Sequence, residues 1–342
     1  MDAVSDVDAA GRMNVALDKE ACMSRRSTAA LVFAAFLAVV LAIPVTVAAQ
    51  AFPTKPIELL IPFGPGGSHD LTARAVASVA HQYLGQPLLI VLKPGGGGAV
   101  ASQQVIRAKP DGYTLLFGGS GPNTTFALVH KAPIGPDQFV PVARINYSSS
   151  FLAVRADAPW KSLRELVDYA KKNPGKLNFA NTGPWGAADL PMRVFAKAAG
   201  FEYNNIPYDG GGPSLLAVLG GHADATFGFT AQLAPQVAAG KMRLLGFFDV
   251  KRHPAFNQVP TTKEEGFDVV FTMWRSVLAP KGTPPAIVDK LEGAFKKLSE
   301  DKSFRALIQS LGDEVNFQTG KEFEKTWREE WEQHSKIVSA AK

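Results

Sequence analysis

Short apolar runs, each ended by a glycine break and followed by a stretch of helical period, dominate the chain from residue 57 onward. Ile57–Phe63 (IELLIPF) is too short for a helix and suits a strand buried on both faces. It breaks at Gly64-Pro65-Gly66-Gly67-Ser68, after which Leu71, Ala75, Val79 and Leu84 recur at roughly helical spacing across Asp70–Leu84. The same grammar predicts strand Leu88–Leu92, a glycine loop at Lys93–Gly98, helix Val100–Ala108, and strand Tyr113–Phe117 ending in Gly118-Gly119-Ser120-Gly121. It continues with strand Phe151–Arg155, helix Ser162–Lys172, strand Lys176–Ala180 and a third glycine break at Asn181–Gly186. A helix from Ala188, strand Asn205–Pro207, helix Pro213–Leu219, strand Ala223–Phe229 and helix Ala231–Ala239 follow. Strands alternating with helices imply βαβ units and parallel sheets. From Met273 the pattern changes to strand Ser276–Ala279 and three charged helices, Ala286–Glu300, Lys302–Leu311 and Lys321–Ala341, expected to pack back on the body.

The first fifty residues have a different character. Ser24-Arg25-Arg26-Ser27-Thr28, an apolar stretch Ala29–Ile43, Pro44 and small residues through Ala51 are the three parts of a secretory signal, with cleavage expected after Ala49 or Ala51. The polar, acidic residues 1–22 read as an extension ahead of Met23, the expected initiator, so that the signal occupies residues 23–51. The one cysteine, Cys22, precedes the apolar stretch and is lost on processing, which excludes disulfide stapling and thiolate chemistry from the exported chain.

Composition narrows the function. With 342 residues, 46% hydrophobic and 20% charged, the chain is an ordinary globular protein long enough for two cores. Lys plus Arg outnumber acids 36 to 31, an excess too small and too evenly spread to argue for nucleic acid. Three of the glycine loops, Gly64–Ser68, Gly118–Gly121 and Thr182–Gly186, are the chemical candidates. Glycine lets a ligand approach the backbone, and a following helix N-terminus offers unpaired N–H groups, so each loop is an anion seat. None is a Walker A loop or a dinucleotide fingerprint. Asp70 is the expected cap of its helix. Adjacent Ser68-His69-Asp70 invites an exported α/β hydrolase acting on esters or phosphates, but successive side chains diverge and no G-x-S-x-G elbow is present. The six histidines lack metal-ligand spacing and read as surface residues, with no metal expected.

Pro53-Thr54-Lys55-Pro56-Ile57 through Pro62–Asp70 resembles the opening signature of the Bug family, periplasmic substrate-binding proteins associated with tripartite tricarboxylate transporters. Leu84-Gly85-Gln86-Pro87, Lys93–Gly98, Pro110–Leu115, Pro207-Tyr208, Leu219–Asp224, Ala239–Arg243 and Leu278–Pro284 continue the resemblance in collinear order. It implies an α/β, two-domain periplasmic-binding-protein fold, type II-like, with the ligand cleft between domain 1 (residues 52–149 and 272–342) and domain 2 (residues 150–271). It also implies a periplasmic, monomeric receptor that needs no cofactor, catalyses nothing, and passes a small carboxylate to membrane permease subunits. By position, Phe63, Gly64, Gly66, Gly67 and Ser68 would seat a carboxylate through backbone N–H groups and the Ser68 hydroxyl. Ser120, Gly121, Thr182, Gly183, Trp185, Gly186 and Ala187 would add donors, and Tyr208, Asp224, Phe229 and Trp274 would line the walls with Phe227. Two departures disfavour a citrate-like polyanion: Asn181–Leu190 lacks the usual hydroxyl-then-histidine pair, and Asp209 stands where lysine is frequent. Trp185, Trp274, Phe227 and Phe229 suit an aromatic or short aliphatic acid instead, unless they are core; Arg275 is a cation that in a cleft would clamp a second carboxylate.

Overall fold

The computed structural model describes residues 52–341 apart from Pro184 and Ala187. The expected export segment, residues 1–51, and the site candidate Ala187 therefore lie outside the described residues. In chain order the elements are β1 (Ile57–Ile61), α1 (Ser68–Leu84), β2 (Leu88–Leu92), α2 (Ala99–Ile106), β3 (Thr114–Gly119) and β4 (Phe139–Arg155), with a π-helical turn Gly121–Phe126 after β3. Then come α3 (Leu163–Lys172), β5 (Asn178–Asn181), α4 (Asp189–Ala199), β6 (Asn204–Pro207), α5 (Gly211–Leu219), β7 (Ala225–Phe229), α6 (Thr230–Ala238) and β8 (Met242–Phe247). The chain ends with β9 (Thr272–Pro280), α7 (Pro285–Glu300), α8 (Lys302–Ser310), β10 (Val315–Thr319) and α9 (Gly320–Ala341).

The sheet is mixed, not parallel as the alternation implies. Its order is β2-β1-β3-β9-β4-β7-β5-β6, with β8 and β10 also pairing β4. β1 runs parallel to β2 and β3, and β5 parallel to β6 and β7, but β4 and β9 cross the middle antiparallel to their neighbours. β4 is the common member: Phe139–Ser149 pairs with β9, whereas Ser150–Val154 pairs with β7. Each side of this changeover has its own core. Leu59, Val76, Phe295 and Ile308 fill one, between β1, α1, α7 and α8; Phe179, Phe195 and Phe227 fill another, between β5, α4 and β7.

The first half of β4 and the whole of β8 and β10 escape the sequence pattern for a physical reason. Pro141, Arg144, Asn146 and Ser148–Ser150 look unlike a buried strand, yet all but Pro141 are under 9% exposed polar residues. Most are satisfied by partners remote in sequence: Arg144 Nε donates to Asn316 O at 3.2 Å, Ser148 Oγ to Asp313 Oδ1 at 3.1 Å, and Ser149 Oγ to Asp249 Oδ2 at 2.5 Å. The C-terminal helices do pack back on the sheet. Phe323 and Trp327 of α9 are wholly buried against Trp274, Leu116 and Leu278, with ring centroids 4.8 and 5.1 Å from the Trp274 ring. That placement puts Trp274 in the core.

Candidate functional site

Two loops from opposite halves of the sheet meet over the strand ends. The β1–α1 loop turns at Gly66, whose φ of +76° is the left-handed conformation glycine tolerates, and delivers the chain into α1 with Gly67 as its N-terminal cap. Asp70 is the third residue of that helix, not its cap; its carboxylate reaches back to the Gly66 N–H at 2.9 Å and pairs with Arg74 at 2.7 Å. Facing it, the β6–α5 loop runs through Asp209 and Gly210. The Gly64 N–H donates to the Asp209 carbonyl at 3.0 Å, and the Ser68 N–H donates to Gln232 Oε1 at 3.2 Å. The amides expected to hold an anion are thus largely occupied by the protein itself: those of Gly64, Gly66 and Ser68 all have internal acceptors.

The loops enclose two adjoining cavities. The outer one, about 450 Å³, is bounded by Phe63, Gly95–Gly98, Thr182, Gly183, Tyr208 and Asp209 with three prolines. The inner one, about 20 Å³, is bounded by Phe63, Gly67, Ser68, His69, Thr182, Gly211, Phe227, Phe229 and Gln232. Phe63 and Thr182 belong to both, so the two form one stepped recess at the carboxyl ends of β1, β5, β6 and β7, where open α/β sheets receive ligands. Another cavity of about 490 Å³ is lined by Asp249 and Asp313, but these carboxylates already accept from Ser149 and Ser148.

The structure brings together ten of the sequence candidates and places the other described ones elsewhere. Phe63, Gly67, Ser68, Thr182, Gly183, Tyr208 and Phe229 line the recess, and Gly64 and Gly66 shape its loop. Gly186 closes the Thr182 loop through a bond to the Gly183 carbonyl at 2.9 Å. Ser120 is wholly buried away from both cavities, donating to Glu330 Oε2 at 3.0 Å and accepting the Trp274 N–H at 3.2 Å, and Gly121 begins the buried π-helical turn beside it. Trp185 takes φ +57°, held by its N–H bond to Asp189 Oδ2 at 2.6 Å, and its ring lies under the Arg193 guanidinium at 4.4 Å. Asp224 stands at the opposite end of the strands, accepting from the Asn178 N–H at 2.8 Å where β5 begins, and so lines no part of the recess.

Residues outside the expected set complete it. Gly95–Gly98, noted in the sequence only as a loop, form one wall of the outer cavity, all four at positive φ. His69 enters the sequence reading only through the Ser68-His69-Asp70 triplet, and Gln232 carries no motif; the clue to Gln232 is only that it lies in the first turn of a helix directly after a strand. The histidines are not all at the surface. His69 is 4% exposed and His334 7%. Burial and the nearby Arg275 charge hold the His69 pKa well below the usual range, which leaves a neutral ring at the recess floor. Arg275 is itself wholly buried behind Ser68, and burial lowers its pKa against the opposing pull of Asp313.

Among the described residues no group of His, Cys, Asp and Glu is arranged to hold a metal, and no helix is long and apolar enough to cross a membrane. Residues 72–342 match the family described as tripartite tricarboxylate transporter family receptor. A Cupriavidus necator protein described as "UPF0065 protein in gbd 5'region" is 37% identical over 288 residues, covering 82% of this chain and 86% of its own. The solved structure of periplasmic binding protein BugD superposes with a TM-score of 0.81 at 29% identity, over 85% of this chain and 98% of that one. MatC from Rhodopseudomonas palustris, solved with bound malate, gives a TM-score of 0.80 at 28% identity over 84% of this chain and 100% of its own. The family match reaching from α1 to the last residue and the likeness to BugD agree, and the chain belongs to the receptor family of tripartite tricarboxylate transporters, a family of periplasmic solute-binding proteins.

Proposed function

We propose that this protein, exported by the signal at residues 23–51, captures a small organic carboxylate in the stepped recess and delivers it to the membrane permease subunits of a tripartite tricarboxylate-type transporter. Residues 52–149 with 272–342 form one domain and residues 150–271 the other, and capture is their closure about the changeover in β4 and the start of β9. The observation that carries this is the pair of hydrogen bonds across the recess, Gly64 N–H to Asp209 O at 3.0 Å and Ser68 N–H to Gln232 Oε1 at 3.2 Å, which join the two halves only when they are together. The bound malate of MatC adds support for a carboxylate as the ligand class.

A few charge-assisted hydrogen bonds of about 1.5–3 kcal/mol each, offset by the cost of ordering and closure, are enough for about −8 kcal/mol, near micromolar affinity. At millimolar ligand that affinity stabilises the fold by about 4 kcal/mol, which raises the melting temperature by roughly 8 °C. Thermal denaturation against a panel of aliphatic and ring mono-, di- and tricarboxylates tests the proposal. A rise with at least one acid is expected; a melting temperature unmoved by the whole panel overturns it.

A further inference from the structure

The chemistry of the inner cavity is set by a residue that lies behind its wall. Arg275 of β9 is 0% exposed. Its Nη1 donates to Ser148 Oγ at 2.9 Å and to Asn146 Oδ1 at 3.3 Å, its Nη2 donates to the Ser68 hydroxyl, and the guanidinium carbon sits 5.1 Å from the centre of the Phe229 ring. The nearest acid, Asp313, is 3.7 Å from Nη1, beyond hydrogen-bond distance, and its two oxygens already accept from Ser148 and Asn146. Of the five N–H donors a guanidinium carries, the one on Nε has no partner among the described residues. A buried cation with incomplete pairing is costly, and an anion arriving on the Ser68 side relieves that cost.

Two residues that line the cavity carry hydroxyls available to such an anion. A serine hydroxyl has one proton and two lone pairs. Because Ser68 Oγ accepts from Arg275, its proton is left to donate elsewhere, and the bond from a cation polarises it further. Across the same cavity Thr182 Oγ1 accepts the Ala188 N–H at 3.1 Å, so its proton is also left to donate. The inner cavity thus presents hydroxyl donors from both halves of the sheet, backed by a positive charge, in a space for about one small polar group. The outer cavity is the reverse: no lysine, arginine or histidine lines it, its one charged residue is Asp209, and Phe63, Tyr208 and three prolines offer apolar contact.

Resting on the carboxylate-receptor reading above, we infer that the ligand is a monocarboxylate bound carboxylate-first, with Ser68 and Thr182 as its donors, Arg275 as its counter-ion, and an uncharged body in the outer cavity where Asp209 repels a second carboxylate. Arg275 acts as a positioning and specificity residue, through Ser68 and through its charge. This polarity is the opposite of the clamp for a second carboxylate that the sequence alone suggests for it.

The test is calorimetric titration of the purified protein with three matched probe series: monocarboxylates from acetate to octanoate with benzoate, dicarboxylates of the same lengths, and the primary amides of the monocarboxylates. At least one monocarboxylate is expected to bind at least 30-fold more tightly than the dicarboxylate of equal length and 100-fold more tightly than its amide. Arg275→Gln is expected to lose at least 100-fold, Ser68→Ala about 10-fold, and Asp209→Lys to gain at least 10-fold for the dicarboxylate. The wild-type comparison of acid with amide decides the matter even if the Arg275 variant fails to fold. A dicarboxylate binding as tightly as its monocarboxylate partner, an amide matching its acid, or a folded Arg275→Gln variant of unchanged affinity overturns the inference while the receptor reading stands. Failure of every acid to bind removes both.

Discussion

Glu330 and His334 stand one turn apart on α9 beside the π-helical turn after β3, Glu330 half-buried and His334 buried. Glu330 accepts from Thr124 Oγ1 at 2.7 Å, Trp274 Nε1 at 2.8 Å and Ser120 Oγ at 3.0 Å, while His334 Nδ1 shares a 3.1 Å bond with Thr125 Oγ1. No cation lies within ion-pair distance of this carboxylate among the described residues. Burial therefore dominates: it pushes the Glu330 carboxyl up to about 7 and the His334 imidazole down to about 4.

The two shifts act on stability with opposite sign. Glu330 holds its proton more tightly when folded, so its contribution is complete below 4.5 and is lost as the pH rises to about 7. His334 holds its proton less tightly when folded, so its contribution is complete above 6.5 and is lost as the pH falls to about 4. Each is worth about 3 kcal/mol across its window at 1.36 kcal/mol per unit, and between them they cancel. Chemical denaturation of Glu330→Gln is expected to gain stability relative to wild type as the pH rises from 5 to 7. His334→Gln is expected to gain relative to wild type as the pH falls over the same range. Parallel curves for wild type and both variants would exclude the coupling.

About one turn before Glu330, Trp327 is another anchor of α9. Trp327 is wholly buried, packs on Trp274 and Phe323, and donates its indole N–H to Thr124 Oγ1 at 2.9 Å. Trp327→Ala removes an aromatic side chain from a close-packed cluster and leaves Thr124 short of a donor, a change that costs about 3–5 kcal/mol. Urea denaturation is expected to show that loss. Because Trp327 is remote from the recess, affinity for an acid measured below the transition is expected to stay within twofold of wild type.

How far the sequence reveals this molecule depends on whether a residue's partners are near it in the chain. β2 is found at Leu88–Leu92 to the residue, and α1, α3 and α7–α9 within one or two, because apolar period and flanking glycines are local signals. β10 and the first half of β4 are invisible, since Arg144 and Ser148 are strand residues through pairing with Ser276, Gln318 and Met273, and their buried side chains are satisfied by Asn316 and Asp313, all remote in sequence. In the candidate site, glycine loops point to Gly67, Ser68 and Thr182, which line the recess. The same reasoning misplaces Ser120 and Trp274, whose destination is set by Glu330, 210 and 56 residues away. It also misjudges the loop amides as free donors, for nothing local tells that Gln232 will take the Ser68 N–H.

Asp224 separates stability from binding. Its carboxylate accepts the Asn178 N–H at 2.8 Å and its own N–H donates to the Asn178 carbonyl at 2.8 Å, fastening the start of β5 to the turn before β7. Asp224→Ala is expected to cost about 1 kcal/mol in denaturant titration, the net value of one such hydrogen bond. Affinity for whichever carboxylate binds wild type is expected to be unchanged, and a tenfold loss would return this residue to the site.

Closure itself is open to a single-atom test at Gly212. A methyl group at this position would lie 2.0 Å from the Pro65 carbonyl oxygen, on the backbone of the facing loop, which no side-chain adjustment relieves. Within its own half of the sheet the position is undemanding: Gly212 is the second residue of α5 and has no positive φ. Alanine is favoured over glycine in a helix by about 0.5–1 kcal/mol. Gly212→Ala is therefore expected to keep or slightly raise the melting temperature, to lower carboxylate affinity at least tenfold, and to increase the radius of gyration in small-angle X-ray scattering, because the halves are held apart without either being damaged. A variant that binds as wild type does and scatters identically would mean that Pro65 and Gly212 do not meet in solution, and would remove the loop contact on which the proposed domain closure rests.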